Sequence, residues 1–132
     1  MPTEYGPRLS FVAENDLRTK QFYIVEVSGN NQVDVCDAAT DITIGVLHNK
    51  PNSAEAAEVF TLHGGRTPAA MDGTTDIAVN DWLGVNSSGV LVKKATADYT
   101  VCAIALEACT TNGVEVHDVL WLGPAFFRTA GG

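Results

Sequence analysis

Apolar residues in this chain recur in short runs separated by turn-forming residues. Nowhere do they form the i, i+3, i+4, i+7 stripe of an amphipathic helix over a dozen positions. That punctuation constrains the fold more than any other feature. Residues 21–28 (QFYIVEVS) are rich in aromatic and β-branched side chains, and Ser28-Gly29-Asn30-Asn31 follows with turn chemistry. Residues 33–36, 43–47 (TIGVL), 59–63, 75–78, 82–85, 90–93, 100–106 and 114–122 continue the series, each predicted to be a strand. Asn86-Ser87-Ser88-Gly89 and Asn112-Gly113 stand between runs, where tight hairpins need them. A helix is hinted only at residues 52–58 (NSAEAAE), where Asn52 could cap and Glu55 occupies the matching capping-box position.

Many short strands at spacings of roughly 8–12 residues predict an all-β protein. The expected architecture is a compact single-domain β-sandwich or small β-barrel over residues 13–132. Residues 1–12, with two prolines and a glycine before Leu9, read as an extended N-terminal arm that docks on a partner, or else as a disordered start. Residues 41–47 (DITIGVL) echo residues 98–104 (DYTVCAI), a faint sign that the two segments are equivalent strands.

The chain has 132 residues, enough for one domain with a real core. Sixteen acidic against eight basic residues leave a net charge of −8, and the only adjacent basic pair is Lys93-Lys94. Phosphate-binding surfaces need clustered Lys and Arg, so nucleic acid is not an expected partner. No apolar run approaches the ~18 residues of a membrane-spanning helix, and no membrane role is expected. Three cysteines, an odd number, imply no disulfide framework, and no charged-then-apolar leader opens the chain. Synthesis in a reducing, intracellular compartment is the expectation.

A search for chemistry returns little. Structural zinc favours close Cys or His pairs; Cys102 and Cys109 are seven positions apart, and no two histidines are closer than His48 and His63. No metal and no cofactor is therefore expected. There is no G-x-S-x-G elbow, no P-loop and no G-x-G-x-x-G. Cys102 lies in an apolar strand, where a buried unreactive thiol is the common case. His63-Gly64-Gly65-Arg66 reads as a bulge or bend, and Asp72, Asp76 and Asp81 as solvated or turn-capping carboxylates. Trp82 and Trp121 are expected in the core. Residues 124–127 (PAFF) read as a lid over the barrel end, or else as an exposed aromatic anchor. No catalytic residue is proposed from the sequence. In the arm, Tyr5, Arg8, Leu9 and Phe11 are residues suited to interface contact, the Tyr and Arg types above all.

Taken in order, the polar lead-in and first strand (DLRTKQFYIVEV), the TIGVL strand, EVFTLHG, the Asn80-Asp81-Trp82-Leu83-Gly84-Val85 segment, TVCAIALEA and the closing strand at 114–122 resemble the small capsid decoration, or cement, proteins of tailed bacteriophages. Gly45 matches that family's small residue before an apolar pair, whereas Cys102 departs from it at the second such place. Asn80-Asp81 keeps only the aspartate of the usual Gly-Asp pair.

The resemblance implies a non-enzymatic structural protein made in the host cytoplasm and placed on the capsid exterior of the virion. Its partners would be the major capsid protein and itself, as a homotrimer or alternatively a dimer. It would stabilise contacts between capsid subunits, with the arm residues Tyr5, Arg8, Leu9 and Phe11 adding to a capsid strand. Another phage structural module, such as a tail or fibre part or a carbohydrate-binding β-sandwich, is the alternative.

Overall fold

The computed structural model describes residues 8–94 and 99–128. Within them the chain forms ten strands and no helix. These are β1 (Arg8–Ala13), β2 (Ile24–Gly29), β3 (Gln32–Val35), β4 (Gly45–Leu47) and β5 (Ala56–Phe60), then β6 (Arg66–Asp72), β7 (Trp82–Val85), β8 (Leu91–Lys93), β9 (Tyr99–Ala105) and β10 (Val114–Arg128). The first five close into one barrel in the order β1-β3-β2-β4-β5, and the last five into another in the order β10-β6-β8-β7-β9. The all-β reading holds.

The two barrels are copies of one pairing scheme. β1 runs parallel to β3 as β6 does to β8, and every other pair in either barrel is antiparallel. Register matches as well as topology. Ala13 faces Val33 as Met71 faces Leu91; Ile24 faces Val46 as Trp82 faces Ile104; Val25 faces Val35 as Leu83 faces Lys93. Each residue stands 58 positions before its counterpart. The loops agree too. Phe22 and Asn80 both adopt positive φ (71° and 74°), with their N–H groups donating to Leu47 and Ala105 respectively. The echo between residues 41–47 and 98–104 therefore falls on truly equivalent strands, β4 and β9, but one residue out of step. Gly45 corresponds to Ala103, not Cys102. A slip of one residue would exchange the two faces of a strand, so the ladder rather than residue likeness decides the match.

One core joins the halves. Ile24, Val46, Phe60 and Cys36 from the first barrel pack with Met71, Leu83, Leu91, Ala103, Val119 and Trp121 from the second. A smaller cluster of Ala13, Leu17, Val25, Val33, Leu47, Ala57 and Val59 belongs to the first barrel alone. Backbone bonds also stitch the seam: the N–H of Ile24 donates to Gly89 C=O and that of Ala70 to Phe22 C=O, at 2.8–2.9 Å. Burial on this scale, at about 25 cal/mol per Å² of apolar surface, dominates the stability of the whole.

Several expectations are corrected. Residues 52–58 are not helical. The capping contact exists, with the Asn52 N–H donating to Glu55 Oε1, but Ala54 takes φ 71° and the chain turns out into β5. Residues 75–78 form no strand; Ile77 makes one isolated bridge with Cys109. β6 was hidden by Pro68, which normally argues against a strand. Pro68 is tolerated because it sits opposite Asp118, whose N–H and C=O point the other way, to Glu107 and to Leu106. The missing N–H of Pro68 thus faces away from β10. Trp121 is fully buried as expected, whereas Trp82 is only partly so. Residues 124–127 carry the backbone of β10 onward past an irregularity between Trp121 and Phe126, with Phe126 opposite Val101.

Candidate interaction surface

Of the four arm residues singled out in the sequence, Tyr5 lies outside the described residues. The other three belong to β1, so from Arg8 onward the expected arm is a strand of the first barrel. β1 pairs with β5 over its length, Arg8 to Phe60, Leu9 to Val59, Ser10 to Glu58 and Phe11 to Ala57. β3 reaches it only at Val12 and Ala13. Alternation puts Leu9 and Phe11 on one face and Arg8 on the other. Phe11 packs against the smaller core cluster, while Leu9 remains 51% exposed. The three residues thus share one strand but do not converge on one patch.

Arg8 also bears on His48. That ring lies between Phe22 and Phe60, edge-on to the first (centroids 5.8 Å) and stacked on the second (5.2 Å), and Nε2 is 2.7 Å from Thr67 Oγ1. Burial, with the Arg8 charge adding to it, lowers the His48 pKa from 6.5 to about 4. His48 is therefore neutral at pH 7 and serves the seam between the barrels. His63 stands near Gly123, and His117 hydrogen-bonds Glu115, so the three histidines occupy separate surroundings.

A second surface feature was not singled out from the sequence. Glu26, Val27, Thr40, Asp41, Ile42 and Ile44 line an open cleft of about 400 Å³ beside β2 and β4. Val27 and Ile42, 53% and 64% exposed, give it apolar lips. Its floor is acidic. The Asp41 carboxylate accepts the N–H groups of Asp37 and Ala38 at 2.9 and 3.0 Å. Desolvation, followed by the proximity of Asp41, Asp37 and Asp34, pushes the Glu26 pKa from 4.5 up to about 7. Such a cleft suits a side chain with an apolar stem and a cationic head. The available signal was Val27 and Ile42 themselves, apolar residues at the ends of strand runs, where the barrel no longer covers them.

The thiols behave as the sequence suggests for Cys102, and Cys36 and Cys109 are likewise buried and unpaired. Burial pushes Cys102 up to about 12 and moves the other two thiols upward as well. The carboxylates of Asp72 and Asp81 cap turns, at the Thr74 and Ala78 N–H groups.

No family model matches this chain, and no curated protein is similar to it at a significant level. Among solved structures, the head fiber gp8.5 N base of bacteriophage phi29 is similar over 87% of this chain and 92% of that one, with a TM-score of 0.63. Sequence identity across that match is 14%, so what the two proteins demonstrably share is a fold.

Proposed function

We propose that this chain is a structural, non-enzymatic protein of a tailed-phage head. It sits on the capsid exterior of the virion and stabilises contacts between major capsid subunits. The observation that carries this reading is the shared fold with the phi29 head-fiber base, which spans nearly the whole of both chains. The resemblance of the strand motifs to capsid decoration proteins supports it independently. β1 offers a means of attachment: from Leu9 to Phe11 it has β5 on one edge and lies beyond the reach of β3 on the other. A capsid strand added there would gain backbone hydrogen bonds, with Leu9 and Arg8 supplying side-chain contacts on opposite faces. Self-association as a trimer or dimer would multiply weak contacts on a repeating lattice.

A second reading is favoured by the same comparison. The domain would be a base that fixes a fibre to the head rather than a cement between subunits.

The test is co-sedimentation with expanded and unexpanded shells of the major capsid protein encoded alongside this chain. Removing residues 1–12 would delete most of β1 and open the first barrel, so the variants to compare are a truncation of residues 1–7 and Leu9→Glu. Saturable binding to the expanded shell, weakened by either change while the thermal transition is kept, is expected. Binding to neither shell refutes the capsid reading. Binding at a few copies per head, with no gain in capsid stability, favours the fibre base.

A further inference from the structure

We propose that Cys109, Glu115 and His117 form a binding site for a divalent transition metal of the zinc class, with three protein ligands and an open position for water. One ligand atom from each residue lies within 4.8 Å of the other two. Glu115 and His117 are two apart on β10 and so share a face. Cys109 arrives from the β9–β10 loop, held against Ile77 by two backbone hydrogen bonds of 2.9 Å. Bond lengths of about 2.0–2.3 Å to Zn²⁺ place tetrahedral ligand atoms roughly 3.3–3.8 Å apart. Side-chain movements of about an ångström would close the site.

Two further observations separate this trio from a chance cluster. Glu107 Oε1 is 3.4 Å from His117 Nδ1, while His117 Nε2 is 3.0 Å from Glu115 Oε1. A carboxylate on one imidazole nitrogen that orients the other toward the ion is the usual supporting arrangement of a metal-ligating histidine. The geometry points to Nε2 as the nitrogen on the metal side. The Cys109 sulfur is also met by the backbone N–H groups of Thr111 and Gly73, although burial outweighs them and leaves its pKa raised. Gly73 comes so near that a Cβ there would stand 2.8 Å from Sγ.

The fold itself does not call for these residues. In the register that matches the barrels, Ala57 in β5 pairs with Phe11 as His117 in β10 pairs with Ala69, the residue equivalent to Phe11. The first barrel thus closes with alanine where the second has the histidine. A thiolate, an imidazole and a carboxylate together select zinc or cobalt over magnesium or calcium. On binding, the metal replaces the proton of Cys109 Sγ and any proton carried by His117 Nε2, and what is displaced passes to solvent.

The test is cobalt titration of the reduced, metal-free protein. A 1:1 complex with a thiolate-to-cobalt charge-transfer absorption, discharged by an equivalent of Zn²⁺, is expected. His117→Gln and Glu115→Gln lie at the surface and are expected to weaken the affinity more than ten-fold. Glu107→Gln acts through His117 and is expected to keep the band while weakening affinity by about ten-fold. His63→Gln is expected to change nothing. Absence of the thiolate band in the wild-type protein, or an unchanged affinity in His117→Gln, overturns the proposal.

Discussion

Glu26 offers a pH-dependent test of how the acidic floor of the cleft is built. Its carboxyl is desolvated on β2 and faces Asp41, Asp37 and Asp34, and its pKa stands near 7 rather than 4.5. A carboxyl with a raised pKa in the folded state favours folding below the unfolded value and loses that contribution as pH rises through the folded one. Here the loss runs from about pH 4.5 to about pH 7. Fully expressed, a displacement of that size corresponds to about 3 kcal/mol. Glu26 is only partly buried and water screens its neighbours, so a realistic value is about 1 kcal/mol. Glu26→Gln removes the charge and keeps an amide that can donate to Asp41. At pH 8 the variant is expected to melt roughly 3–4 °C higher than the wild type. At pH 4.5 the two are expected to melt nearly together. Thermal unfolding followed by circular dichroism at both pH values measures the difference. An equal displacement at the two pH values, or a loss at pH 8, would refute the account of Glu26 as a carboxyl strained by burial and like charge.

His48 responds in the opposite direction. Its lowered pKa means that stability present above pH 6.5 is lost as pH falls toward 4, and His48→Leu is expected to flatten that acid limb of a Tm-against-pH curve. Gly89 and Gly64 adopt similar φ (79° and 82°), but a Cβ on Gly89 would run into the Val35 side chain and Cys36 O, whereas Gly64 has open space. Gly89→Ala is expected to cost about 2–4 kcal/mol and Gly64→Ala about 1 kcal/mol in chemical denaturation; equal costs would mean that the barrels do not abut at Gly89. Leu83 is fully buried in the shared core, and Leu83→Ala is expected to lower stability by about 2–5 kcal/mol in the same assay. A thiol reagent is expected to react slowly with the native protein and with all three cysteines once it is unfolded.

Much of the fold was legible because period-two alternation and turn residues are local. The strand at residues 82–85 was read to the residue, and the hairpins at Gly29–Asn31 and Asn86–Gly89 were marked by residues that accept unusual φ. What misled the reading was also local. Pro68 disguised β6, although the Asp118 pairing leaves its nitrogen no ladder bond to make. The residues of β1 looked like an arm because their strand partner, β5, begins more than forty positions later. The capping pair Asn52 and Glu55 signalled a helix, and their contact does form, but the chain leaves it at Ala54 to pair with β1 and β4.

The candidate sites were less legible for a related reason. Glu115 and His117 announce themselves as neighbours on one strand face, but Cys109 joins them only because the Ile77 bridge brings its loop back. The cleft at Glu26 and Asp41 likewise needs the β2–β4 pairing to exist.

By itself, then, the sequence determined that the chain is all-β, where most of its turns fall, and that Cys102 lies in an apolar strand. Those properties follow from backbone preferences and hydrophobic alternation over a few residues. Only the tertiary structure decided that the strands form two barrels of identical topology, that β1 closes the first of them, and which distant carboxylates, thiol and imidazole meet. Strand pairing joins residues far apart in the chain, and its register is set by which pairings bury both faces of one common core.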